Sequence, residues 1–347
     1  MMTAMSKFDP RNILVIDFGQ LGDVVLSLPA LAAIRARFPR ARVTVAVGRP
    51  AAPIVELAGV ADKALAVDRV ALRDGSKPLS VLRIARLVKE VRRSKFDFVI
   101  DLHSLSETNL LGYLSGASAR LYKRRPGRSL DFLSNFRPRP EVEDLSKHAI
   151  DRYLDVLAPL GVGQVSRVPR LLPRAEDDRA VDALLKKERA GVDDVPLVGI
   201  FPGAGHPSRR WPLERFAELA RRMETGDGVR VVLFAGPEER PLVRQMRSAF
   251  PRSTIVFDQL TITQLASAAA RLAVFVSNDT GPMHIAAAVG TPVVMLLGHP
   301  THRAYVPPGD RHRVIHSRAM EEITVGQVYE AARSALTTER MASIFSS

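Results

Sequence analysis

The stretch Val274–Pro300, VFVSNDTGPMHIAAAVGTPVVMLLGHP, decides the fold. Its first residues, Val274 to Val276, are β-branched or aromatic and predict a buried strand. Capping residues, a glycine and a proline follow at 277–282, which is typical of a helix that begins abruptly after a strand. A short helix is predicted over 283–289 and the next buried strand over 293–297. The stretch therefore predicts one β–turn–α–β unit of a parallel α/β sheet.

The turn in this unit is a candidate phosphate site. A helix that starts there directs free backbone N–H groups and the positive end of its dipole at one point. His284 falls in the first turn beside those N–H groups, and Gly281 would let a ligand approach the backbone. The alternative is an ordinary crossover in which Asp279 or Thr280 only caps the helix. These residues alone leave both interpretations open.

The composition is that of a globular protein of about two domains. The chain has 347 residues, of which 46% are hydrophobic and 25% charged. It contains no cysteine, which excludes disulfides and cysteine-based metal sites or nucleophiles. The start, MMTAMSKFDPRN, lacks the apolar segment of a secretory signal, and no apolar run reaches the ~18 residues that span a bilayer. We therefore expect a cytoplasmic protein.

The chain is strongly basic. Lys and Arg number 50 against 37 Asp and Glu, a formal net charge of +13. Nucleic acid, an anionic membrane surface or an acidic substrate could account for this excess, and a general preference for arginine is the alternative without function. Nucleic acid is the weakest of these partners, because aromatic residues make up only 6% and no recognised binding motif is present. We expect no nucleic-acid partner.

The N-terminal region predicts a β–α–β unit around a glycine loop. Its elements are a strand from Arg11 to Phe18, a loop from Gly19 to Asp23, a helix from Val24 to Phe38 that Pro29 is expected to break early, and a strand from Arg42 to Val47. The loop has G-x-x-G-D instead of the dinucleotide pattern G-x-G-x-x-G, and no acidic residue closes the second strand. A nicotinamide enzyme is therefore not expected.

Two polar stretches follow in this half. The loop from His103 to Thr108 comes after a predicted strand, Phe96 to Leu102, and doubly wound sheets bind ligands at that end of their strands. The densest basic run is RLYKRRPGR, from Arg120 to Arg128. It would suit a phosphorylated or carboxylate-bearing acceptor and an anionic membrane leaflet. The alternative is a solvated loop.

Strands and helices alternate in both halves of the chain. An amphipathic helix rich in Arg and Lys is predicted from Leu79 to Ser94, and a linker from Gly161 to Pro173 by its glycine and proline content. We predict two Rossmann-like α/β domains, 10–165 and 174–336, that face each other across a cleft.

Three separated motifs resemble one enzyme family. LGDVVLSLPAL, Leu21 to Leu31, is similar to a G-D-x-x-x-[ST]-x-P pattern, and FPGAGHPSRRWP, Phe201 to Pro212, is similar to P-G-A…K-x-W-P. The third is DTGPMH, Asp279 to His284. In this order they resemble glycosyltransferase family 9, the ADP-heptose:lipopolysaccharide heptosyltransferases.

This resemblance implies a fold and a reaction. The fold would be GT-B, with domain 10–165 binding the acceptor and domain 174–336 binding the nucleotide sugar. The reaction would be an inverting transfer of heptose from ADP-heptose, without metal or cofactor. The acceptor would be the Kdo- or heptose-bearing inner core of lipopolysaccharide, at the cytoplasmic face of the inner membrane, to which the protein would be peripheral.

The resemblance also implies roles for single residues. An inverting transfer needs a base for the acceptor hydroxyl and positive charge on the departing diphosphate. Asp23 would be the base, although it could instead be the N-cap of the helix that follows. The residues on the diphosphate would be Arg209, Asp279, Thr280, Gly281, Pro282, Met283 and His284. The acceptor would be bound by Gly22, His103, Ser104, Arg120, Lys123, Arg124 and Arg125.

Two departures from the family pattern affect these expectations. Arg209 stands where the family has lysine and replaces a point charge by a planar fork. Asp17 stands where relatives often carry a basic residue, which leaves the acceptor preference open. The alternatives are a family 9 relative that uses another nucleotide sugar or another acceptor glycan, and a non-catalytic sugar-nucleotide-binding protein.

Overall fold

The chain folds into two units, each with its own parallel sheet. A computed structural model describes residues 8–69, 77–127, 129–188, 195–298 and 300–344. The first unit is Met1–Pro169 and the second is Arg170–Ser347. Every strand pairing within the two sheets is parallel. The predicted α/β class with two parallel-sheet domains is confirmed.

The sheet of the first unit has five strands. They are β1 Asn12–Asp17, β2 Arg42–Gly48, β3 Lys63–Val67, β4 Phe98–Asp101 and β5 Ala119–Tyr122. The order is β3-β2-β1-β4-β5, and Val15 lies between Val45 and Ile100 in register. The strand order reverses between β1 and β4. The loops that follow these two strands therefore diverge and leave a crevice at the carboxyl edge of the sheet.

The helices of the first unit include one that departs from expectation. The helices are α1 Leu21–Arg37, α2 Ala52–Ala58, α3 Lys77–Arg93, α4 Ser106–Leu114 and α5 Ala149–Asp155. The expected break at Pro29 is wrong, since α1 continues through it. Every residue from Val24 to Leu31 is buried, five of them Val or Leu. Burial at roughly 1.5–3 kcal/mol for each of these five outweighs the ~3 kcal/mol that an interior proline costs.

The sheet of the second unit has six strands. They are β6 Leu197–Phe201, β7 Arg230–Phe234, β8 Ile255–Phe257, β9 Val274–Asn278, β10 Val293–Leu297 and β11 Arg313–His316. The order is β11-β10-β9-β6-β7-β8, so the topological switch lies between β6 and β9. The stretch quoted first, 274–300, supplies β9 and β10 and therefore lies at the centre of this sheet. Its predicted strand over 293–297 has the observed bounds.

Six helices of the second unit are described. They are α6 Ala175–Glu188, α7 Leu213–Asp227, α8 Val243–Ala249, α9 Ile262–Ala269, α10 Gly281–Ala288 and α11 Val325–Ile344. Trp211 anchors one face of the core: it packs edge-on against Phe216, and its ring N–H donates to the carbonyl of Ile323 at 2.9 Å. None of the helices in the described ranges combines the length and the hydrophobicity that crossing a bilayer requires.

Candidate active site

A buried asparagine joins the two loops at the switch point of the second sheet. The side-chain amide of Asn278, the last residue of β9, donates to the carbonyls of Pro202 (2.8 Å) and Gly203 (3.2 Å) in the loop after β6. Its side-chain oxygen accepts the backbone N–H of Trp211 at 3.1 Å. The second and third sequence motifs therefore form one connected structure.

The start of α10 presents main-chain donors. Thr280 is extended and precedes the helix, and its hydroxyl makes no capping hydrogen bond within the described part of the chain. Pro282 has no N–H, so Gly281 and Met283 carry the amide donors of the first turn. These groups and the helix dipole favour an anion at this point. The sequence-predicted turn therefore has the chemistry of a phosphate site.

Three of the predicted residues meet beside this turn. One carboxylate oxygen of Asp279 lies 3.8 Å from Arg209, and the other lies 3.8 Å from Nε2 of His284. His284 is buried, and its Nδ1 has no hydrogen-bond partner among the described residues. The Arg209 side chain is 41% exposed and can reach a ligand. Asp279 thus holds two basic groups on either side of its carboxylate.

A buried glutamate borders the same edge of the sheet. Glu239 follows β7, and its side chain accepts the backbone N–H of Gly236 at 3.0 Å. Burial raises the pKa of its carboxyl. A Cβ atom at Gly203 would lie 2.3 Å from the other oxygen of this carboxyl, so glycine is required there. Sequence reasoning missed Glu239, although an acid after the second strand is a known ribose-binding signal in nucleotide folds.

The first motif forms the start of α1 in the first unit. Asp23 is the third residue of the helix, and its carboxylate accepts the backbone N–H of Gln20 at 2.9 Å. The alternative that Asp23 is the N-cap is therefore corrected, because Gln20 occupies that position. Gly22 precedes Asp23 in the first turn. A Cβ atom at Gly19 would lie 2.6 Å from that of Asp23, so only glycine fits.

A buried acid and a half-buried histidine lie behind this loop. Asp17 ends β1 and accepts the N–H of Gly19 at 3.0 Å, and burial raises its pKa. Nδ1 of His103 lies 3.9 Å from the Asp17 carboxylate. Burial, together with the positive charges of Arg125 and Arg69, lowers the pKa of His103 to about 3. The imidazole is therefore neutral at physiological pH.

The loop after β4 is held by Asp101. Its carboxylate accepts the N–H groups of His103 (3.1 Å) and Ser104 (2.7 Å) and the side-chain amide of Asn109 (2.8 Å). Burial raises the pKa of Asp101 to about 7 in spite of these donors. Ser104 is fully buried, and its hydroxyl donates to the carbonyl of Lys123. The Ser104 side chain is therefore occupied by a hydrogen bond within the protein, whereas the His103 side chain is partly exposed.

Three cations converge on one buried carboxylate after β5. Glu143 lies 2.7 Å from Lys123, 3.2 Å from Arg125 and 3.4 Å from Arg152. Its N–H donates to the carbonyl of Arg124, which brings a residue from an irregular segment to the sheet edge. Burial opposes ionisation of Glu143, but these cations hold its pKa below the usual value. The Glu143 cluster therefore gathers three basic side chains around one carboxylate.

Two residues of the basic run lie apart from the Glu143 cluster. Arg120 is within β5 and donates to the carbonyls of Leu133 and Ala117. Arg124 lies 3.5 Å from Asp131 and donates to the carbonyl of Pro140.

The alternative that the whole basic run is a solvated loop does not describe Lys123, which is buried. Arg128 lies outside the described residues.

Comparison with known proteins identifies the family. A model of glycosyltransferase family 9 (heptosyltransferase) matches residues 84–330, which is more than half of the 347 residues. The chain belongs to glycosyltransferase family 9. The match includes the second and third motifs of this family 9 chain but not the first, so the role of Asp23 stays a prediction.

Relatives of this family 9 enzyme cover nearly its whole length. The chain is 26% identical over 311 residues to the lipooligosaccharide heptosyltransferase 2 of Haemophilus influenzae, covering 86% of each. It resembles a family 9 glycosyl transferase from Veillonella parvula with a TM-score of 0.84 and 25% identity, over 95% of this chain and 98% of that one. For the Escherichia coli ADP-heptose lps heptosyltransferase II, the TM-score is 0.77 at 21% identity, over 95% and 99%. The GT-B fold and the glycosyltransferase class are confirmed.

Proposed function

We propose that this family 9 enzyme transfers a heptose from ADP-heptose to the Kdo- or heptose-bearing inner core of lipopolysaccharide, at the cytoplasmic face of the inner membrane. One observation carries the proposal: the three family motifs each follow the carboxyl end of a strand (β1, β6 or β9) that borders the topological switch point of its parallel sheet, where α/β folds bind ligands. The names of the H. influenzae and E. coli relatives support heptose as the transferred sugar.

The diphosphate of the donor would lie at the start of α10. The N–H groups of Gly281 and Met283 would donate to its oxygens, and Arg209 and His284 would add side-chain donors. Asp279 carries a negative charge that would repel phosphate, and it lies 3.8 Å from both basic groups. We assign it to orienting these two groups. The charge that develops on departing ADP would thus be stabilised by preorganised donors.

Glu239 would bind the ribose of the donor. It follows β7, the second strand of its sheet, and its carboxyl is buried next to Gly203 in the loop after β6. Acids in the corresponding place of dinucleotide folds accept hydrogen bonds from ribose hydroxyls. This assignment adds one residue to the set that the sequence predicted.

Asp23 would act as the general base. The acceptor hydroxyl would attack the anomeric carbon from the face opposite the diphosphate, and the carbon–oxygen bond to ADP would break as the new bond forms. The hydroxyl proton would pass to the free oxygen of the Asp23 carboxylate, since the other oxygen accepts the N–H of Gln20. One displacement of this kind inverts the anomeric configuration.

The acceptor would bind to the first unit through its negative charge. Lys123 and Arg125 are the members of the Glu143 cluster that follow β5 directly, and both are positively charged side chains at the carboxyl edge of the sheet. A carboxylate of Kdo, or a phosphate on the inner core, would match these charges. His103 would contact the same sugar as a neutral donor or acceptor.

The groups at the start of α10 support a reaction without a metal. In this proposal, main-chain amides, Arg209 and His284 neutralise the diphosphate, which is the task that a divalent cation performs in metal-dependent transferases. Activity should therefore survive an excess of EDTA. Loss of activity with EDTA and its return with magnesium or manganese would contradict this part of the proposal.

The test is incubation of the enzyme with ADP-heptose and lipid acceptors truncated to Kdo or to the first heptose, followed by mass spectrometry of the lipid. A gain of one heptose on either acceptor supports the proposal and identifies the acceptor. An inverted anomeric centre in the product supports the single displacement.

Other outcomes would favour the alternatives. Transfer from a different nucleotide sugar, or to a different glycan, would keep the enzyme class and change the substrate. ADP binding without transfer from any nucleotide sugar would indicate a non-catalytic binding protein.

A further inference from the structure

Ser104, in the loop after β4, has a strained backbone. Its φ of 53° lies in the left-handed region, and Lys95 is the other non-glycine residue with a positive φ in the described part of the chain. A side chain in this region meets a steric cost that glycine avoids. Lys95 is exposed and precedes β4, whereas Ser104 is fully buried at the carboxyl edge of the sheet. A strained residue at such an edge is a candidate for a role in function.

The hydroxyl of Ser104 is buried away from any substrate, but it joins two loops. It donates to the main-chain carbonyl of Lys123, the first residue after β5, and it accepts the side-chain amide of Asn109 on α4 at 3.0 Å. Asp101 and Tyr122 end β4 and β5 and are paired in register. The loops that leave these two strands are therefore adjacent, and the Ser104 hydroxyl ties one to the other.

The backbone around Ser104 is held by Asp101. One oxygen of this carboxylate accepts the N–H groups of His103 and Ser104, and the other oxygen accepts the side-chain amide of Asn109. The side-chain oxygen of Asn109 in turn accepts the N–H of Leu130 at 2.8 Å, in the segment that follows β5. Several buried hydrogen bonds therefore hold the left-handed turn in place, which is the condition under which backbone strain persists.

The two loops carry side chains that we propose for the acceptor. His103 precedes Ser104 in one loop, and Lys123 and Arg125 lie in the other. Arg125 also donates to the main-chain carbonyl of His103 at 3.2 Å, so the loops are in direct contact. A displacement of about 1 Å in groups that position a substrate can cost roughly 10²-fold in rate. Binding of the acceptor therefore depends on how the two loops are spaced.

We infer that Ser104 is a positioning residue for the acceptor: its hydroxyl holds the loop after β4 against the loop after β5 and so sets the distance between His103 and Lys123. This inference rests on the proposed function, in which these two side chains bind the acceptor. Glycine would fit the left-handed turn without strain, but it has no hydroxyl to link the loops. The strain at Ser104 accompanies that link.

The test separates the hydroxyl from the strain with two variants. Ser104→Gly removes both, and Ser104→Ala removes the hydroxyl but keeps a Cβ atom in the left-handed region. The matched control is Lys95→Gly, which relieves the same kind of strain before β4. Calorimetry measures the dissociation constants of ADP and of deacylated, water-soluble acceptors that end in Kdo or in the first heptose. Circular dichroism measures the melting temperature.

Both Ser104 variants should bind the acceptor about tenfold more weakly, the effect of one lost hydrogen bond, while ADP binding stays native. Their stabilities should differ: Ser104→Gly should melt roughly 2–4 °C above Ser104→Ala, because it is free of the left-handed strain. Lys95→Gly should bind the acceptor normally. In the transfer reaction, the loss should appear in the KM for the acceptor more than in kcat.

Native acceptor binding by a well-folded Ser104→Gly protein would overturn the inference. Equal weakening of acceptor and ADP binding in both variants would also overturn it, because that would show a general effect on the fold. So would a native chain that binds neither acceptor. A native chain that binds an acceptor but transfers no heptose would contradict the proposed function alone, since the binding measurement does not require transfer.

Discussion

At the carboxyl edge of the second sheet the groups that attract an anion belong mainly to the main chain, whereas at the edge of the first sheet they are side chains. The turn before α10 offers amide N–H groups, with Arg209 and His284 beside them. The first unit instead gathers Lys123, Arg125 and Arg152 around Glu143. Main-chain donors remain after most side-chain substitutions, those to proline excepted, while a side-chain cluster changes with single substitutions. We therefore expect binding at the second unit, which we propose for the donor, to tolerate side-chain substitution better than binding at the first unit, which we propose for the acceptor.

The largest effect should come from Asp23 of the first unit, the proposed general base. Asp23→Asn keeps an oxygen for the N–H of Gln20, so the helix start should be preserved. Turnover should fall by roughly 10²–10⁴-fold, the usual contribution of a general base. The dissociation constant of ADP, measured by calorimetry, should stay unchanged.

A matched control for this variant is Asp97→Asn. The carboxylate of Asp97 also accepts backbone N–H groups, those of Arg11 and Asn12, but at the opposite end of the sheet. Its turnover should remain near native. Near-native turnover of a well-folded Asp23→Asn protein would remove the base assignment and reduce Asp23 to a helix-capping residue.

A smaller effect is expected for Arg209→Ala in the second unit. Loss of one charge-assisted hydrogen bond should weaken ADP binding by about 10- to 100-fold. Arg221→Ala, an exposed arginine on α7 that donates to the carbonyl of Ala249, is the control and should bind normally. A loss of more than about a thousandfold would mean that side chains dominate this site too, and the contrast between the units would fail.

Arg125→Ala should separate the two substrates. The KM for the lipid acceptor should rise by about tenfold, since Lys123 and Arg152 remain on Glu143, and the ADP dissociation constant should not move. Arg124→Ala is the comparison, because the side chain of Arg124 contacts Asp131 and the carbonyl of Pro140 and not the carboxylate of Glu143. A weaker donor with an unchanged acceptor would contradict the assignment of the first unit.

The smallest effect at neutral pH concerns the protonation of His103. Its pKa of about 3, against 6.5 for an ordinary histidine, means that the unfolded chain binds a proton there between these values and the folded chain does not. The stability contributed by neutral His103 is present above pH 6.5 and is lost as the pH falls, by up to ~1.4 kcal/mol per pH unit. The ring NMR signal, assigned with His103→Gln, should not titrate between pH 8 and 5. A titration midpoint near pH 6.5 would show that burial and the charges of Arg125 and Arg69 do not lower the pKa of His103.

The parallel sheets were predictable because their strands are short apolar runs bounded by turn residues. The strand over 293–297 has the predicted bounds, and the helix before it begins within two residues of the prediction. The start of α1 was not predicted, since a local pattern does not reveal that Asp23 bonds to Gln20. Pro29 misled for a related reason: the burial that tolerates it comes from tertiary packing.

The candidate site divides in the same way. Asp279, Thr280 and His284 were found because one turn holds them all. The burial of Lys123 was not foreseen, because its partner Glu143 lies in a segment without periodic pattern, far along the chain. Arg120 was grouped with the rest of the basic run because it is close to them in sequence. In a strand, however, successive side chains point to opposite faces, so closeness in sequence does not bring side chains together. Spacing in sequence identifies local groups well and long-range charge pairs poorly.

The buried Asn278 has a consequence for protein engineering. Because its one side chain holds the backbone of Pro202, Gly203 and Trp211, the loops after β6 and β9 behave as a single exchangeable module. In a chimera that receives only one of these loops from a relative, the side chain at 278 and the backbone of 202–211 would come from different proteins. Their hydrogen bonds would then not be expected to match. Donor preference in this enzyme should therefore be transplanted by moving 202–211 and 278–284 together.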